Sequence, residues 1–231
     1  MAIINSDTNL RAVHSGGKIM VNKLKKVTFL SLVLSMVITL SGLASATEPQ
    51  TAAATPSQFV QSLGDTALSS LTDKKTPRAI REKRVREILE NNFDIQTIGK
   101  FAMGTYWKDA SDTQRKEYLD LFENTLVSAY TTRFEDYSGQ ALKVHGFTNS
   151  GATDFIVASR VIQKDGPAIN LEWRVRKEDS GLKIVDVVVE GISMSVTQRS
   201  DFSSVIQHGG GNIDTLLTSL REQSKTSSQK T

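Results

Sequence analysis

Asp186 and Glu190 are the first residues in this 231-residue chain whose types and spacing could do chemistry. They stand four apart in the run Leu182 to Glu190, LKIVDVVVE, so a strand there turns both carboxylates to one face. Paired carboxylates can divide general acid and general base work between them. The alternative is structural: Asp186 anchors a turn or pairs with a guanidinium such as Arg160 or Arg174, the ordinary role of a carboxylate near arginine. Beyond residue 46 the histidines are His145 in an extended stretch and His208 at a helix end. Neither has the i, i+4 partner or the nearby Cys/Asp grouping of a metal site. Gly209-Gly210-Gly211 lacks the Lys-Ser/Thr of a phosphate-binding loop and reads as helix punctuation, and no G-x-S-x-G elbow is present. The absence of cysteine excludes disulfides and thiolate chemistry. These readings point away from an enzyme and call for no metal or cofactor.

The distinctive residues are apolar. Phe101, Met103, Tyr106, Trp107, Phe122, Leu126, Tyr130, Phe134 and Tyr137 fall in helical stretches, and Phe155, Val157, Trp173, Val175, Val187 and Val189 in extended ones. Two readings compete: they are simply the core, where such residues usually lie, or they line an apolar space between a helical layer and a sheet.

The elements that must position them can be read from periodicity and capping. Phe59, Val60, Leu63, Ala67, Leu68 and Leu71 form a helical stripe from Pro56, closed by Thr72 to Lys75. Thr76-Pro77 then suggests an N-cap followed by proline at the first helical position. The next helix is basic (Arg78, Arg81, Lys83, Arg84, Arg86) but interleaved with Glu82, Glu87 and Glu90. That pattern reads as a solvated face, with a surface for anionic head groups or an acidic partner as the alternative. Asp94 is placed as an N-cap for a short helix that Gly104 interrupts. Ser111 and Gln114 have capping-box spacing, starting a long helix at about Asp112 in which Tyr118, Phe122, Leu126 and Tyr130 share a face.

From Ala141 the period changes to that of strands. Ala141 to Phe147 and Asp154 to Gln163 flank the turn Thr148 to Gly151, and Lys164 to Pro167 turns the chain again. Ile169, Leu171, Trp173 and Val175 alternate with polar residues, as in a half-buried antiparallel strand. After Glu178 to Gly181, the run Leu182 to Glu190 reads as a central strand. Ser200 to His208 and an Asn212-capped segment through Leu216, Leu217 and Leu220 read as closing helices. The fold class is therefore α+β: N-terminal and central helices packed on one side of a curved antiparallel sheet of four to five strands, with C-terminal helices.

The run Phe93-Asp94 with Met103-Gly104-Thr105-Tyr106-Trp107, then Ser111, Gln114-Arg115, Phe122, Leu126 and Tyr130, resembles the signature of the toluene-tolerance family, the periplasmic phospholipid-carrier subunits of the Mla (maintenance of lipid asymmetry) system. A second block follows in order: Ile184-Val185-Asp186, Glu190-Gly191-Ile192-Ser193, Gln198-Arg199 with Phe202, and Gly211-Asn212-Ile213-Asp214-Leu216-Leu217. Leu182-Lys183-Ile184 departs from members that open this strand with Trp. The resemblance implies a monomeric carrier that holds phospholipid acyl chains among the apolar residues named above. Its partners would be an outer-membrane lipoprotein complex and an inner-membrane ABC transporter bearing an MCE-domain ring. A related branch of the family implies hopanoid-type cargo as an alternative. A lipid-free docking module, with the aromatic residues as ordinary core, is the other.

Targeting features agree with export. Lys18, Lys23, Lys25 and Lys26 precede an uncharged apolar run from Val27 to Leu43, and Ala44-Ser45-Ala46 supplies a small-residue cleavage site. Residues 1–46 are thus expected to be a signal peptide with an extended N-region, or alternatively an uncleaved anchor, and Met20 is a second candidate start. Residues 47–55 read as a flexible leader, 56–222 as a single carrier domain and 223–231 as a polar tail. The first 46 residues hold five of the 28 basic residues and one of the 25 acidic ones, which leaves the remainder at a net charge of −1. The basic balance belongs to the targeting segment, and the argument for nucleic-acid binding goes with it.

Overall fold

Strand order in the sheet follows chain order. In this computed structural model, which describes residues 54–137 and 139–228, β1 (Ala141–Asn149), β2 (Asp154–Ile162), β3 (Ile169–Glu178), β4 (Gly181–Val189) and the two-residue β5 (Ile192–Ser193) form one antiparallel sheet, β1-β2-β3-β4-β5. The hairpin turns lie where Gly and polar residues cluster. The fifth strand brings the sheet to the upper end of the expected four to five. Its existence follows from Glu190, which takes a positive φ of 48°, and Gly191 at 79°, a reversal that brings Ile192 back beside Val189.

Two bulges set which side chains share a face. Pairing shifts between Val144 and Gly146 in β1, leaving His145 unpaired, and opposite Arg174 and Val175, leaving Val185 of β4 unpaired. Val144 and Phe147 therefore point the same way despite odd spacing, as do Ile184 and Val187. Gly146, at φ 145°, supplies a backbone angle closed to other residues.

Helices α1 (Pro56–Leu71) and α2 (Arg78–Asn92) form a hairpin. A capping box between Thr55 and Gln58 starts α1. Helix α2 begins one residue later than expected, after Pro77, without a side-chain cap. Thr76 is otherwise engaged: its hydroxyl donates to Asp73 and its carbonyl accepts from Arg81. Asp94 caps α3 (Ile95–Met103) by accepting from the Thr97 amide at 2.9 Å. After the single turn α4 (Tyr106–Asp109), the Ser111–Gln114 capping box opens α5 (Asp112–Glu135), as the spacing predicts.

Helix α6 (Met194–His208) is six residues longer at its start than the sequence suggests, because Ser193 caps it by accepting from the Val196 amide. Helix α7 (Ile213–Ser228) extends to Ser228, into the stretch read as a polar tail. Arg221 ties it to α5 through Glu117 at 2.6 Å. The segment read as a signal peptide lies outside the described residues, as does most of the leader. Among those described, no helix is long and apolar enough to cross a membrane.

Lys83 of the basic run on α2 is solvated, 74% exposed beside Glu87, but the arginines are held by protein partners rather than open to anions. Arg81, 5% exposed, donates to the carbonyls of Leu71, Asp73 and Thr76 and pairs with Glu135 at 3.1 Å. Arg78 shares Glu135, Arg84 donates to the Ser70 carbonyl, and Arg86 bonds Glu123 and Asn124 of α5. These guanidiniums stitch the end of α1 and the length of α5 onto α2.

Candidate functional site

Cross-strand partners in an antiparallel sheet share a face, so the register defines a wall. Phe147, Val157, Trp173 and Val187 form one row across four strands. Val144, Ser159, Leu171, Val189 and Ile192 form the next, and Leu142, Val161 and Ile169 the one beyond. On the other side of the first row lie Phe155, Val175 and Ile184. Val60 and Leu63 of α1 cover this last part, making a core in which Val157, Val175 and Ile184 are fully buried. Gly64 lets α1 approach β1, since a Cβ there would lie 2.6 Å from the Leu142 side chain.

Toward the far end the cover runs out. Val161, Ile169, Leu171 and Val189 are only half-buried, and they belong to no buried cluster among the described residues. An apolar row left partly wet costs free energy that burial under further apolar matter would recover. The wall offers little to a polar ligand. Its one hydroxyl row member, Ser159, is 3% exposed and accepts from Trp173 Nε1 at 2.8 Å, so the pair is mutually satisfied.

The residues singled out from the sequence divide between this wall and two other cores. Phe155, Val157, Trp173, Val175 and Val187 lie on or against the sheet core, and Val189 on the half-open row. Met103, Tyr106, Trp107 and Phe122 do not face the sheet. They pack with Tyr118, and with Phe202, Ile206, Leu216, Leu217 and Leu220 from α6 and α7, into a core made of helices alone. Tyr118 stacks on Phe122 and meets Phe202 edge-on, with ring centroids 5.8 and 5.9 Å away. Tyr130 and Phe134 belong to a third core with Leu71, Val85, Leu89 and Val127, and Leu126 touches both helical cores. Phe101 is 41% exposed on the outside of α3, and Tyr137 donates its hydroxyl to the Gln140 carbonyl.

Sequence reasoning passed over Leu142, Val144, Val161, Ile169, Leu171 and Ile192 as site residues. Strict alternation in β3 marked Ile169 and Leu171 as inward-facing, and that signal could have placed them beside Trp173.

Electrostatics supports no catalytic pair. Asp186, on the opposite face and 6% exposed, accepts from Ser193 Oγ at 2.6 Å and the Ser195 amide at 3.1 Å, and lies 3.7 Å from Arg174. It anchors the β5–α6 turn, the structural alternative. Glu190 is engaged by the amide and side chain of Asn170. His145 and His208 are exposed. Burial pushes the phenols of Tyr118 and Tyr130 upward, Arg133 partly opposing this at Tyr130. Tyr118 donates to the Gly99 carbonyl at 2.8 Å. Two surface depressions, about 470 and 460 Å³, are lined by α6–α7 residues such as Asn212 and Thr218 and by mixed charges including Glu90, Asp94, Lys116 and Lys183. Neither borders the wall.

A family model described as "MlaC protein" matches residues 61–222. The intermembrane phospholipid transport system binding protein MlaC of Haemophilus influenzae is 23% identical over 175 residues, covering 72% of this chain and 81% of that protein. The toluene tolerance protein ttg2D of Pseudomonas putida is 24% identical over 169 residues, covering 71% and 78%. Among solved structures, the phospholipid-binding protein of Ralstonia solanacearum, determined in complex with a phospholipid, superposes with a TM-score of 0.65 at 24% identity, covering 76% of this chain and 99% of that one.

Proposed function

The chain belongs to the MlaC family, and on that premise we propose that it is a phospholipid carrier that shields acyl chains against the inner wall of its sheet. The observation that supports this most directly is the row Leu171–Val189 with Val161 and Ile169, apolar, contiguous and incompletely covered by the protein itself. Each acyl methylene removed from water contributes about 0.8 kcal/mol. A carrier needs only a dry wall of this kind, without head-group chemistry, and the satisfied Trp173–Ser159 pair suits it.

The name of the relative in Haemophilus influenzae supports placing the carrier in intermembrane phospholipid transport. In this reading the protein is exported to the periplasm, passes lipid between an outer-membrane lipoprotein complex and an inner-membrane MCE-domain ABC transporter, and leaves ATP hydrolysis to the latter. It performs no bond-making or bond-breaking step itself.

Native mass spectrometry of the protein purified without detergent tests the proposal. A stoichiometric mass increment that resolves into phospholipid is the expected result, and a hopanoid would retain the mechanism while changing the cargo. A bare protein that also takes up no lipid from vesicles sinks the carrier reading and leaves a docking module.

A further inference from the structure

Of the six large apolar side chains most exposed among the described residues, four gather at one corner: Phe101 at 41%, Ile192 at 60%, Met194 at 39% and Val196 at 54%. Phe101 projects from α3, and the others occupy β5 and the first turn of α6, which packs on α3. Arg199, one turn beyond Val196, lays its guanidinium over the Phe101 ring at 5.2 Å. It forms no ion pair with a carboxylate among the described residues. Gly104 makes room for it, since a Cβ there would stand 3.0 Å from Arg199 Nε. Exposed aliphatic and aromatic groups around an unpaired cation are a combination that sits at the boundary between acyl chains and phosphates.

The corner is continuous with the wall. Ile192 pairs with Val189, which pairs with Leu171, so the half-open row runs without a polar interruption from the sheet interior to the exposed edge.

We infer that this corner docks the protein edge-on against a phospholipid bilayer, with Ile192, Met194, Val196 and Phe101 entering the acyl boundary and Arg199 resting on a lipid phosphate. The inference rests on the carrier reading and specifies where that carrier meets lipid. Docked this way, a lipid tail slides from the bilayer onto Ile192 and along Val189 to Leu171 without crossing water. A bilayer fits the corner better than a protein surface does, because flexible side chains leading into a lipid-holding row need no shape-matched partner.

The experiment is co-sedimentation of the purified full chain with phosphatidylcholine vesicles and with vesicles containing phosphatidylglycerol, run beside native mass spectrometry of the same preparations. Wild type should bind both, and the anionic vesicles more tightly. Ile192→Ser with Val196→Ser should weaken both by about tenfold or more through lost apolar burial. Arg199→Gln should weaken binding to anionic vesicles by about fivefold and to phosphatidylcholine vesicles by less. Val196→Ser alone, on an exposed helix face, provides a variant that cannot perturb the β5 turn. A protein that carries lipid yet ignores vesicles, or vesicle binding unchanged in all variants, overturns the docking proposal, gives the corner to a protein partner and leaves the carrier reading intact. Absence of bound lipid in every preparation would instead count against the carrier reading.

Discussion

The indole Nε1 of Trp173 donates to Ser159 Oγ at 2.8 Å, diagonally across β2 and β3 in the middle of the apolar wall. Ser159→Ala takes the partner from a part-buried donor, which costs about 1 kcal/mol. The expected outcome is a lower urea midpoint with an unchanged slope. In a Trp107→Phe background, Trp173 emission should shift to the blue when phospholipid is added, reporting directly on the wall. No shift on loading would place the acyl chains elsewhere.

Leu171 and Val175 share one strand face, but Val175 is fully buried and Leu171 only half-buried. An aspartate at Val175 would desolvate a charge within the core, so Val175→Asp should fail to fold. Leu171→Asp should keep the wild-type circular dichroism spectrum and lose bound lipid by native mass spectrometry. Lipid retained by folded Leu171→Asp would refute the assignment of this row.

Tyr118 is fully buried in the helical core, and its burial favours the neutral phenol. The unfolded-state phenol titrates near about 10, and the folded one higher. Stability from this group is therefore complete below about pH 10 and is lost as pH rises further, because the unfolded chain releases the proton first. Melting temperature should fall above pH 10. Tyr118→Phe should remove part of that fall while losing the hydrogen bond to Gly99.

Arg81 gathers three carbonyls at the α1–α2 turn and binds Glu135 at the end of α5. Arg81→Ala orphans buried acceptors and should destabilise by about 2–3 kcal/mol, measured by thermal denaturation. Arg81→Lys should restore little, since one ammonium cannot reproduce the fork. Recovery to wild-type stability with lysine would show the geometry to be dispensable.

Local chemistry was legible in the sequence and long-range partnership was not. The Ser111–Gln114 box and the Asp94 cap depend on residues three apart, so spacing placed both helix starts. Alternation in β3 gave its inward face. By contrast, the periodicity of Tyr118, Phe122 and Leu126 established a greasy face without naming what it met. The partner is Phe202 with the leucines of α7, some eighty to a hundred residues onward. The bulges at His145 and Val185 were equally hidden, because an extra residue looks like a lapse in alternation. The cap at Ser193, which lengthens α6, depends on the Glu190-Gly191 reversal that precedes it.

A sheet whose strands pair in chain order also shapes how the molecule assembles. Every ladder closes through a short turn, so the meander forms at small loop-closure cost. The contacts of α5 with α7, such as Glu117 with Arg221 and Gln114 with Asp214, span about a hundred residues. Most of the intervening chain is the meander. Once zipped, it shortens the effective tether and carries the C-terminal helices back toward α5. On this account the sheet is the early unit of folding and the helical core the late one. Pulse-labelled hydrogen exchange should find amides of β2 to β4 protected before those of α7, and the reverse order would mean that the helices condense first.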